Sequence, residues 1–373
     1  MKKGSKYIKI SNAEGKMWVL PEKHLKIGFN IYQPTSFSGR LLKKVLPMIY
    51  KISIVRWLVD KVLKIEHCDL DIPEIVRIKI EELFAKEIIL SYFSGTPSVH
   101  MKPTVQISTT EEILGYAKFT AQKNIFGLFS HEKQVLDYLQ KKGIVNIPKS
   151  LFCEKLSEEY YLFVQDTIRT EHSTSLDVIT DEQIEFVKTF CDLSEVELEY
   201  SNTDYYYQVH QLLNHEELIR KVNIDVKTLE EVILFVDKTL ECETVFSGYH
   251  GDFTPWNSLC EGNKFFVFDF EYFQYSYPKY LDIFHYYTQF KVFSEDISIR
   301  KLEDDFKCAV QEGVFTELFA KPYISYIQYL LAIICFYILR SDEILDEKDI
   351  RNVGVWYGTL IALYSDVKEK EKK

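Results

Sequence analysis

The sequence predicts an α+β protein, in which a small antiparallel sheet with one helix is followed by a mostly helical half. From residue 181 onward apolar residues recur with helical spacing, and only 244–270 interrupts them, with two apolar runs around a polar loop. Between residues 88 and 121, short apolar runs alternate with turn residues, which is typical of strands, and these runs are 88–93, 104–107 and 113–121.

The remaining segments follow this order. Val135, Leu136 and Leu139 give 131–141 the spacing of an amphipathic helix, with Ser130 as its N-cap. Residues 41–90 have a helical pattern with a break at 69–73. Three further strands are predicted, at 7–10, 17–20 and 160–164.

These elements divide the chain into three predicted parts. We expect an N-terminal extension over 1–80, a strand-rich lobe over 81–166 and a helical lobe over 167–373.

Composition excludes several classes of protein. With 46% hydrophobic residues, 14 glycines and 10 prolines, the 373-residue chain is neither disordered nor of low complexity. The seven cysteines form no C-x-x-C pair, so we expect free thiols in a reducing compartment and a cytoplasmic protein. Met1 and the lysines after it are not followed by the apolar core of a secretory signal. The apolar run 326–339 is too short to span a bilayer and is predicted to be a buried helix.

Charge is distributed unevenly along the chain. The formal net charge is −11, which argues against a nucleic-acid-binding protein. Residues 1–66, in contrast, carry 14 lysines and arginines against 4 acidic residues. Within them, 41–65 alternates apolar clusters with lysines. It either packs its apolar face on the rest of the protein or lies on a membrane surface or a polyanion.

The segment 245–286 is the most informative about chemistry. His250-Gly251-Asp252 follows the first apolar run, Asn257 comes five residues after Asp252, and Asp269 ends the second run. We expect a hairpin over this segment to gather Asp252, Asn257 and Asp269 at one mouth. Phosphoryl transfer needs a carboxylate that orients a hydroxyl and oxygen ligands for Mg²⁺, and these three side chains fit those roles. The alternative is that they are turn and cap residues, but this does not explain their joint spacing.

H-G-D-x-x-x-x-N followed by an Asp-led triplet resembles the aminoglycoside phosphotransferase and choline kinase family. The resemblance implies a two-lobed protein-kinase-like fold, ATP and Mg²⁺ as cofactors, Asp252 as the catalytic carboxylate, and Asn257 and Asp269 as metal ligands. It also implies that Asp282, in the downstream YPKYLDIFHY segment, braces the catalytic loop. We interpret His250 as a packed, supporting side chain and not as a base.

The first half matches the same family less closely. Lys118 resembles the strand lysine that binds the α- and β-phosphates, and Glu132 lies where the lysine-pairing glutamate belongs; Lys123 is an alternative lysine. The alternative is that Lys118 is a solvated strand residue and that Glu132 is a charge in the first turn of the helix, where it interacts favourably with the helix dipole. Tyr116, on the same face of the strand as Lys118, either stacks on the base or turns away.

The predicted phosphate loop, 93–100, has only one glycine. Ser94 and Gly95, with Thr96 and Ser98, are the candidate phosphate contacts. Gln165, which ends the 160–164 strand, resembles the lobe linker that reads the adenine edge.

Recognition of the acceptor is the least defined part of the prediction. The acidic stretch 177–199 and Tyr205-Tyr206-Tyr207 would suit a cationic or sugar-like acceptor, or they are a solvated helix face and core tyrosines. The resemblance limits the acceptor to a small hydroxyl compound such as an amino sugar, sugar, amino alcohol or glycan precursor. Two other functions stay open: a catalytically silent nucleotide-binding scaffold, and a kinase for a membrane-linked glycan in surface polysaccharide synthesis.

Overall fold

The structure is a computed structural model, and it divides the chain into two compact units. The first contains Met1–Lys141, Val145–Ser175 and Ser258–Glu271, and the second contains Lys142–Ile144, Leu176–Asn257 and Tyr272–Lys373. The residues described are 7–13, 15–34, 37–95, 101–176, 178–262, 264–294, 297–340 and 345–371.

An eight-stranded antiparallel sheet forms the centre of the first unit. Its strand order is β3-β1-β2-β4-β5-β6-β8-β7. The strands of the N-terminal extension, β1 to β3, therefore continue the same sheet through the pairing of β2 with β4. The strands are β1 (Tyr7–Ser11), β2 (Met17–Pro21), β3 (Glu66–Cys68), β4 (Ile89–Phe93), β5 (Thr104–Ser108), β6 (Ile113–Thr120), β7 (Ser150–Lys155) and β8 (Tyr161–Asp166).

Five helices accompany this sheet in the described part of the first unit. One apolar core lies under α2 and α3, and a second joins α4 to the middle strands of the sheet. The helices are α1 (Leu25–Gly28), α2 (Phe37–Ile49), α3 (Ser53–Leu63), α4 (Glu74–Phe84) and α5 (Lys123–Lys141).

The prediction for α5 was wrong at its start. We expected the helix to begin after Ser130, but it begins at Lys123, and Ser130 lies inside it. Ile125 and Phe129 are buried and continue the apolar stripe of the helix backwards by two turns. The sequence analysis also missed β7, an edge strand of the sheet, and β3, which lies just before the predicted break at 69–73.

The second unit is mostly helical. Its one sheet within the described residues is small, with the order β13-β10-β9. Its strands are β9 (Val196–Glu197), β10 (Val245–Tyr249) and β13 (Gln274–Tyr277), and its helices are α6 (Asp181–Leu193), α7 (Asp204–Leu212), α8 (Glu216–Lys221), α9 (Val226–Leu240), α10 (Leu281–Ser294), α11 (Ile299–Gln311), α12 (Pro322–Leu339) and α13 (Glu347–Glu371).

Helix α12 is a core helix of this unit. Among the described residues it is the one helix long and apolar enough to cross a membrane, but 67% of it is buried inside the protein. It packs against α7, α9, α10 and α13. The predicted buried helix at 326–339 is therefore found within α12.

The predicted hairpin over 244–270 was partly wrong. The first apolar run is β10, which pairs with β9 and β13 in the second unit. The hairpin instead joins β11 (Ser258–Glu261) to β12 (Lys264–Val267), which belong to the first unit. Asp269 follows β12, as expected. Residues 258–271, which include this hairpin, belong to the first unit, so the observed units do not follow the predicted boundaries at 80 and 166. The division into an extension and two lobes stays a prediction.

Candidate active site

Lys118 lies at the centre of a buried ionic cluster in the first unit. Its Nζ is 2.8 Å from Glu132 Oε2 and 2.7 Å from Asp269 Oδ1. Strand β6 supplies the lysine and helix α5 supplies the glutamate, so the pairing predicted for these two residues is present. The alternative lysine, Lys123, is exposed at the start of α5 and is not part of the cluster.

The charges in this cluster depend on one another. Burial alone lowers the pKa of Lys118, but the carboxylates of Asp269 and Glu132 outweigh burial and hold that pKa well above its ordinary value. Burial raises the pKa of Glu132 to about 7, against the opposing effect of Lys118. Glu132 is fully buried, and its Oε1 has no hydrogen-bond partner among the described residues. Lys118 therefore stabilises carboxylates that burial would otherwise protonate.

A third carboxylate, Glu271, joins the cluster. It is buried and pairs with Lys102, and its oxygen lies with those of Glu132 and Asp269 in a group spanning less than 4.8 Å. Three carboxylates beside two lysines leave an excess of negative charge, which favours a divalent cation. Sequence reasoning missed Glu271 as part of the site, although its place as third residue of the Asp-led triplet was a usable signal.

The backbone fixes the direction of Asp269. This residue has φ 71°, a left-handed conformation that is uncommon outside glycine. Residues held in such conformations concentrate at functional sites, where the surrounding structure maintains them. Here the conformation occurs at the residue whose carboxylate contacts Lys118.

The loop after β10 carries Asp252 in the second unit. Gly251 has φ +82°, and a Cβ there would lie 2.5 Å from the carbonyl oxygen of Tyr272, so only glycine fits. The side-chain amide of Asn257 donates to Asp252 Oδ2 at 2.7 Å and to the Asp252 carbonyl at 3.0 Å. This use of the Asn257 nitrogen leaves its amide oxygen available as a ligand. The structure therefore brings Asp252 and Asn257 into contact, as their spacing predicts.

His250 and Asp282 hold this loop in place. Asp282, in the first turn of α10, accepts the backbone N–H of His250 at 2.9 Å, and His250 Nδ1 accepts the backbone N–H of Asp252 at 3.1 Å. Both side chains are buried. Burial raises the pKa of Asp282 to about 7, although the backbone N–H groups that it accepts favour its ionised form. These contacts are those of supporting residues.

His285 is a residue that the sequence analysis missed. It is buried, its Nε2 lies 3.4 Å from Asp252 Oδ1, and its Nδ1 lies 3.4 Å from the hydroxyl of Tyr249. It follows Asp282 by three residues on α10, so both side chains face the loop. That helical spacing was the signal that pointed to it.

One of the predicted phosphate contacts, Ser94, is hydrogen-bonded to the N-terminal extension. The Ser94 hydroxyl accepts the backbone N–H of Met17 at 3.0 Å and donates to the carbonyl of Gly95. Gly95 has φ +89°, and a Cβ there would meet the Lys102 carbonyl oxygen at 2.6 Å. Thr96 and Ser98 lie outside the described residues.

The extension also covers part of the sheet face that carries Lys118. Gln106, opposite Tyr116 in the register, donates to the carbonyl of Ile27 in α1 at 2.8 Å. Tyr116 turns towards Gln106 and hydrogen-bonds to Arg169. Gln165 lies opposite Tyr116 on β8, is buried, and its Oε1 has no partner in the described part of the chain.

Comparison with solved structures identifies this architecture. No known protein family matches the chain by sequence, and no curated protein does either. The choline kinase LicA from Streptococcus pneumoniae superposes with a TM-score of 0.51 at 14% identity, over 78% of this chain and 98% of that one. A thermostable mutant of aminoglycoside phosphotransferase APH(4)-Ia, in a ternary complex with ADP and hygromycin B, also gives 0.51, at 11% identity, over 79% and 98%.

The chain has a protein-kinase-like fold. The predicted protein-kinase-like fold is confirmed. In the protein-kinase-like fold of this chain, the sheet of the N-terminal lobe is enlarged by the strands of the extension.

The acidic stretch of the kinase-like helical lobe is a largely exposed surface. Asp192 and Glu195 pair with Lys279 at 3.0 and 2.9 Å, and Asp177 lies outside the described residues. Tyr205 is a fully buried core residue whose hydroxyl donates to the Gln328 carbonyl, and Tyr207 is exposed. The interpretation as a solvated face and core tyrosines fits the acidic residues and Tyr205, but not the exposed Tyr207.

Arg340 is a cationic residue of this lobe that interacts electrostatically with Asp252. Burial lowers the pKa of Arg340, but Tyr337, Tyr272 and the carboxylate of Asp252 raise it overall. Its guanidinium stacks on the rings of Tyr337 and Phe336, at 3.8 and 4.5 Å from their centroids. A fixed cation therefore lies near the predicted catalytic carboxylate.

A cavity of about 910 Å³ lies in the first unit, away from this chemistry. The segment 22–27 lines it, together with 110–113 and 167–172, and none of the predicted site residues does. Its size alone therefore gives no reason to place the phosphoryl-transfer site there.

Proposed function

We propose that this protein is an ATP- and Mg²⁺-dependent phosphotransferase that moves the γ-phosphate of ATP to a hydroxyl group of a small molecule. The observation that carries the proposal is the ion pairing of the buried Lys118 with both the buried Glu132 and the half-buried Asp269. Phosphoryl transfer asks a protein mainly for fixed charges and positions, and these side chains are held by opposite charges and by burial.

The donor atoms fit a magnesium ion. Mg²⁺ prefers oxygen ligands from few side chains and keeps other positions for water and phosphate. Asp269 is proposed to supply a carboxylate oxygen and Asn257 its amide oxygen, and Glu271, whose oxygen lies within 4.8 Å of that of Asp269, is a further candidate ligand. When bound, the ion neutralises negative charge on the β- and γ-phosphates.

Asp252 performs the proton transfer in this proposal. The acceptor hydroxyl oxygen forms a bond to the γ-phosphorus, the bond from that phosphorus to the β,γ-bridging oxygen breaks, and ADP leaves. The hydroxyl proton passes to the Asp252 carboxylate, which Asn257 and His285 orient. Lys118 binds the α- and β-phosphates, and Ser94, Gly95 and Gln165 are the proposed further contacts to the nucleotide.

The acceptor is proposed to be an amino sugar, sugar, amino alcohol or glycan precursor. Support comes from the solved structures with this fold, one called a choline kinase and one holding hygromycin B. We place the protein in the cytoplasm, where ATP and reduced thiols are found, and propose no nucleic-acid partner.

A catalytically silent nucleotide-binding scaffold is the second candidate. One observation favours it: the N-terminal extension uses the Ser94 hydroxyl and the Gln106 amide on the sheet face that carries Lys118. The intact set of Asp252, Asn257 and Asp269 argues against it, because a scaffold needs no proton acceptor.

The test is acceptor-dependent ADP release across a panel of sugars, amino sugars and amino alcohols. Asp252→Ala is expected to lower turnover by about 10²–10⁴-fold while ATP binding stays, because only the proton acceptor is lost. Asp304→Ala, an exposed aspartate on α11, is the matched control and should leave turnover unchanged. ATP binding without turnover in the wild-type protein, for every acceptor, would favour the scaffold.

A further inference from the structure

Helix α3 carries an exposed apolar stripe. Ile54, Trp57, Leu58 and Val62 lie at the spacing of one helix face, and their exposed fractions are 83%, 60%, 52% and 77%. The opposite face of the helix is apolar as well: Val59 is buried in the core of the extension. Because the inner face already anchors α3, the outer stripe is not needed to fold the unit.

Helix α2 repeats this arrangement. Leu41 and Met48 are 52% and 68% exposed, and Ile52 in the short connection to α3 is 55% exposed. Leu46 and Tyr50 on the inner side are buried in the same core as Val59. We call the exposed residues of both helices and their connection the outer apolar surface; its members are Leu41, Met48, Ile52, Ile54, Trp57, Leu58 and Val62.

Four lysines accompany the outer apolar surface. Lys44, Lys51, Lys61 and Lys64 are exposed, and none of them has an ion-pair partner among the described residues. Lys61 lies over the Trp57 ring, with its Nζ 4.4 Å from the centroid. Over residues 37–65, seven lysines and arginines face a single acidic residue, in a protein whose net charge is −11.

The single acidic residue does not neutralise these lysines. Asp60 accepts a hydrogen bond from the buried Tyr50 hydroxyl at 2.8 Å and contacts His67 at 3.2 Å. Arg56 pairs with Glu22 and donates a hydrogen bond to the Tyr50 carbonyl. The charged groups that have ion-pair partners therefore hold α3 on its core. The four lysines without an ion-pair partner among the described residues make the outer apolar surface attractive to an anionic surface.

We propose that the outer apolar surface docks this protein on an anionic lipid bilayer. Helices that lie in a membrane interface bury apolar side chains among the acyl chains and place lysines at the anionic headgroups, and a tryptophan suits the boundary between the two. A nucleic acid has no apolar interior in which the exposed isoleucine and valine side chains could be buried. A second copy of this chain would bring two basic surfaces together, which their charge opposes.

The experiment measures binding of the full chain to sedimented vesicles. Vesicles of phosphatidylcholine with one part in four phosphatidylglycerol should bind the protein, pure phosphatidylcholine should bind it weakly, and added salt should release it. Trp57 provides a direct signal, because the other three tryptophans, Trp18, Trp256 and Trp356, are buried or half-buried. Its emission should shift to shorter wavelength with anionic vesicles, and Trp57→Phe should abolish the shift while binding persists.

Two sets of variants separate charge from apolar contact. Replacing Lys44, Lys61 and Lys64 by glutamine should lower partitioning roughly a hundredfold, since each lysine near such a surface contributes about fivefold. Ile54→Ser with Trp57→Ser should lower it by at least roughly tenfold. Val145→Ser with Leu234→Ser removes exposed apolar side chains elsewhere (82% and 59% exposed) and should leave binding unchanged.

All these residues are exposed, so thermal unfolding of the variants should match the wild type, and their folding can be verified without lipid. Equal binding of wild type and lysine variant would overturn the proposal, as would the absence of binding to anionic vesicles. A concentration-dependent dimer that Ile54→Ser with Trp57→Ser dissolves would show that a second copy covers this surface instead. None of these outcomes depends on catalysis, so they leave the proposed phosphotransferase activity untouched.

Discussion

Removal of the Lys118 ammonium tests the buried ionic cluster most sharply. In Lys118→Met, Glu132 stays fully buried while the cation 2.8 Å from it is gone. Breaking a buried ion pair from one side costs about 3–5 kcal/mol of unfolding free energy, because an uncompensated charge remains. Replacing both partners, in Lys118→Met with Glu132→Leu, should recover about half of that loss or more. The recovery stays incomplete because Asp269 loses its contact with Lys118 in both variants.

The same variant has a predicted pH dependence. The pKa of Glu132 is about 7 in the folded protein, against an ordinary value of 4.5. Its favourable contribution to the free energy of unfolding is therefore complete below pH 4.5 and is lost as pH rises through about 7. Without Lys118 the folded pKa rises further. The stability deficit of Lys118→Met should therefore be smallest in mildly acidic solution and grow as pH increases above neutrality.

Urea unfolding of the nucleotide-free protein, followed by circular dichroism, measures these differences. Lys133→Met is the matched control on α5, because Lys133 and Asp137 are 41% and 40% exposed, and such a pair is worth only about 0.5 kcal/mol. The reasoning is refuted if Lys118→Met loses no more stability than Lys133→Met. It is also refuted if the deficit shrinks as pH rises.

Three further predictions concern the catalytic loop. The pKa of Asp282 is about 7, against an ordinary value of 3.8, so its contribution to the free energy of unfolding is lost as pH rises through about 7. The urea midpoint of the wild type should therefore fall between about pH 5 and about pH 8, and Asp282→Asn should make that fall smaller. An unchanged slope in the variant would contradict this. Gly251→Ala should cost at least about 1–3 kcal/mol, because its φ is +82° and its Cβ would meet the Tyr272 carbonyl. At Gly262, φ is +59° and an added Cβ would meet no atom of the described residues within 4 Å, so Gly262→Ala should cost only about 1 kcal/mol by the same unfolding assay. His285→Phe should lower kcat for acceptor-dependent ADP release by about tenfold or more with little change in ATP affinity, and a change confined to KM would argue against an orienting role.

The local elements were largely predictable because their patterns are local. Alternating apolar runs placed β4, β5, β6 and β8 within a few residues, and the recurring apolar residues placed the helices of the second half. Gly127 and the polar residues beside it obscured the first two turns of α5, where Ile125 and Phe129 carry the stripe. Helix ends are weakly encoded when the first turn holds no clear cap.

Pairing between distant segments could not be predicted in this way. An apolar run does not specify its partner, so β10 was assigned to a hairpin although it pairs with β13. The pairing of β2 with β4, which joins the extension to the sheet, could not be predicted for the same reason. The contact of Lys102 with Glu271 links residues 169 positions apart, and no local pattern indicates it.

The candidate site was predicted best where one motif carries several residues. Asp252, Asn257 and Asp282 lie where the H-G-D motif and the helix after it imply, and the contact of Lys118 with Glu132 follows from the strand and helix that carry them. The nucleotide face was predicted least well, because the segment that covers Gln106 comes from the extension, about 80 residues earlier in the chain.

Calorimetric titration of ATP, with and without Mg²⁺, tests the central claim most directly. We predict that the wild-type protein binds ATP more tightly with Mg²⁺ than with a chelator. Asp269→Asn should abolish that difference, because the proposed ligand loses its charge, whereas Asp252→Asn should keep it. The account is contradicted if ATP does not bind the wild-type protein, or if the magnesium dependence survives unchanged in Asp269→Asn.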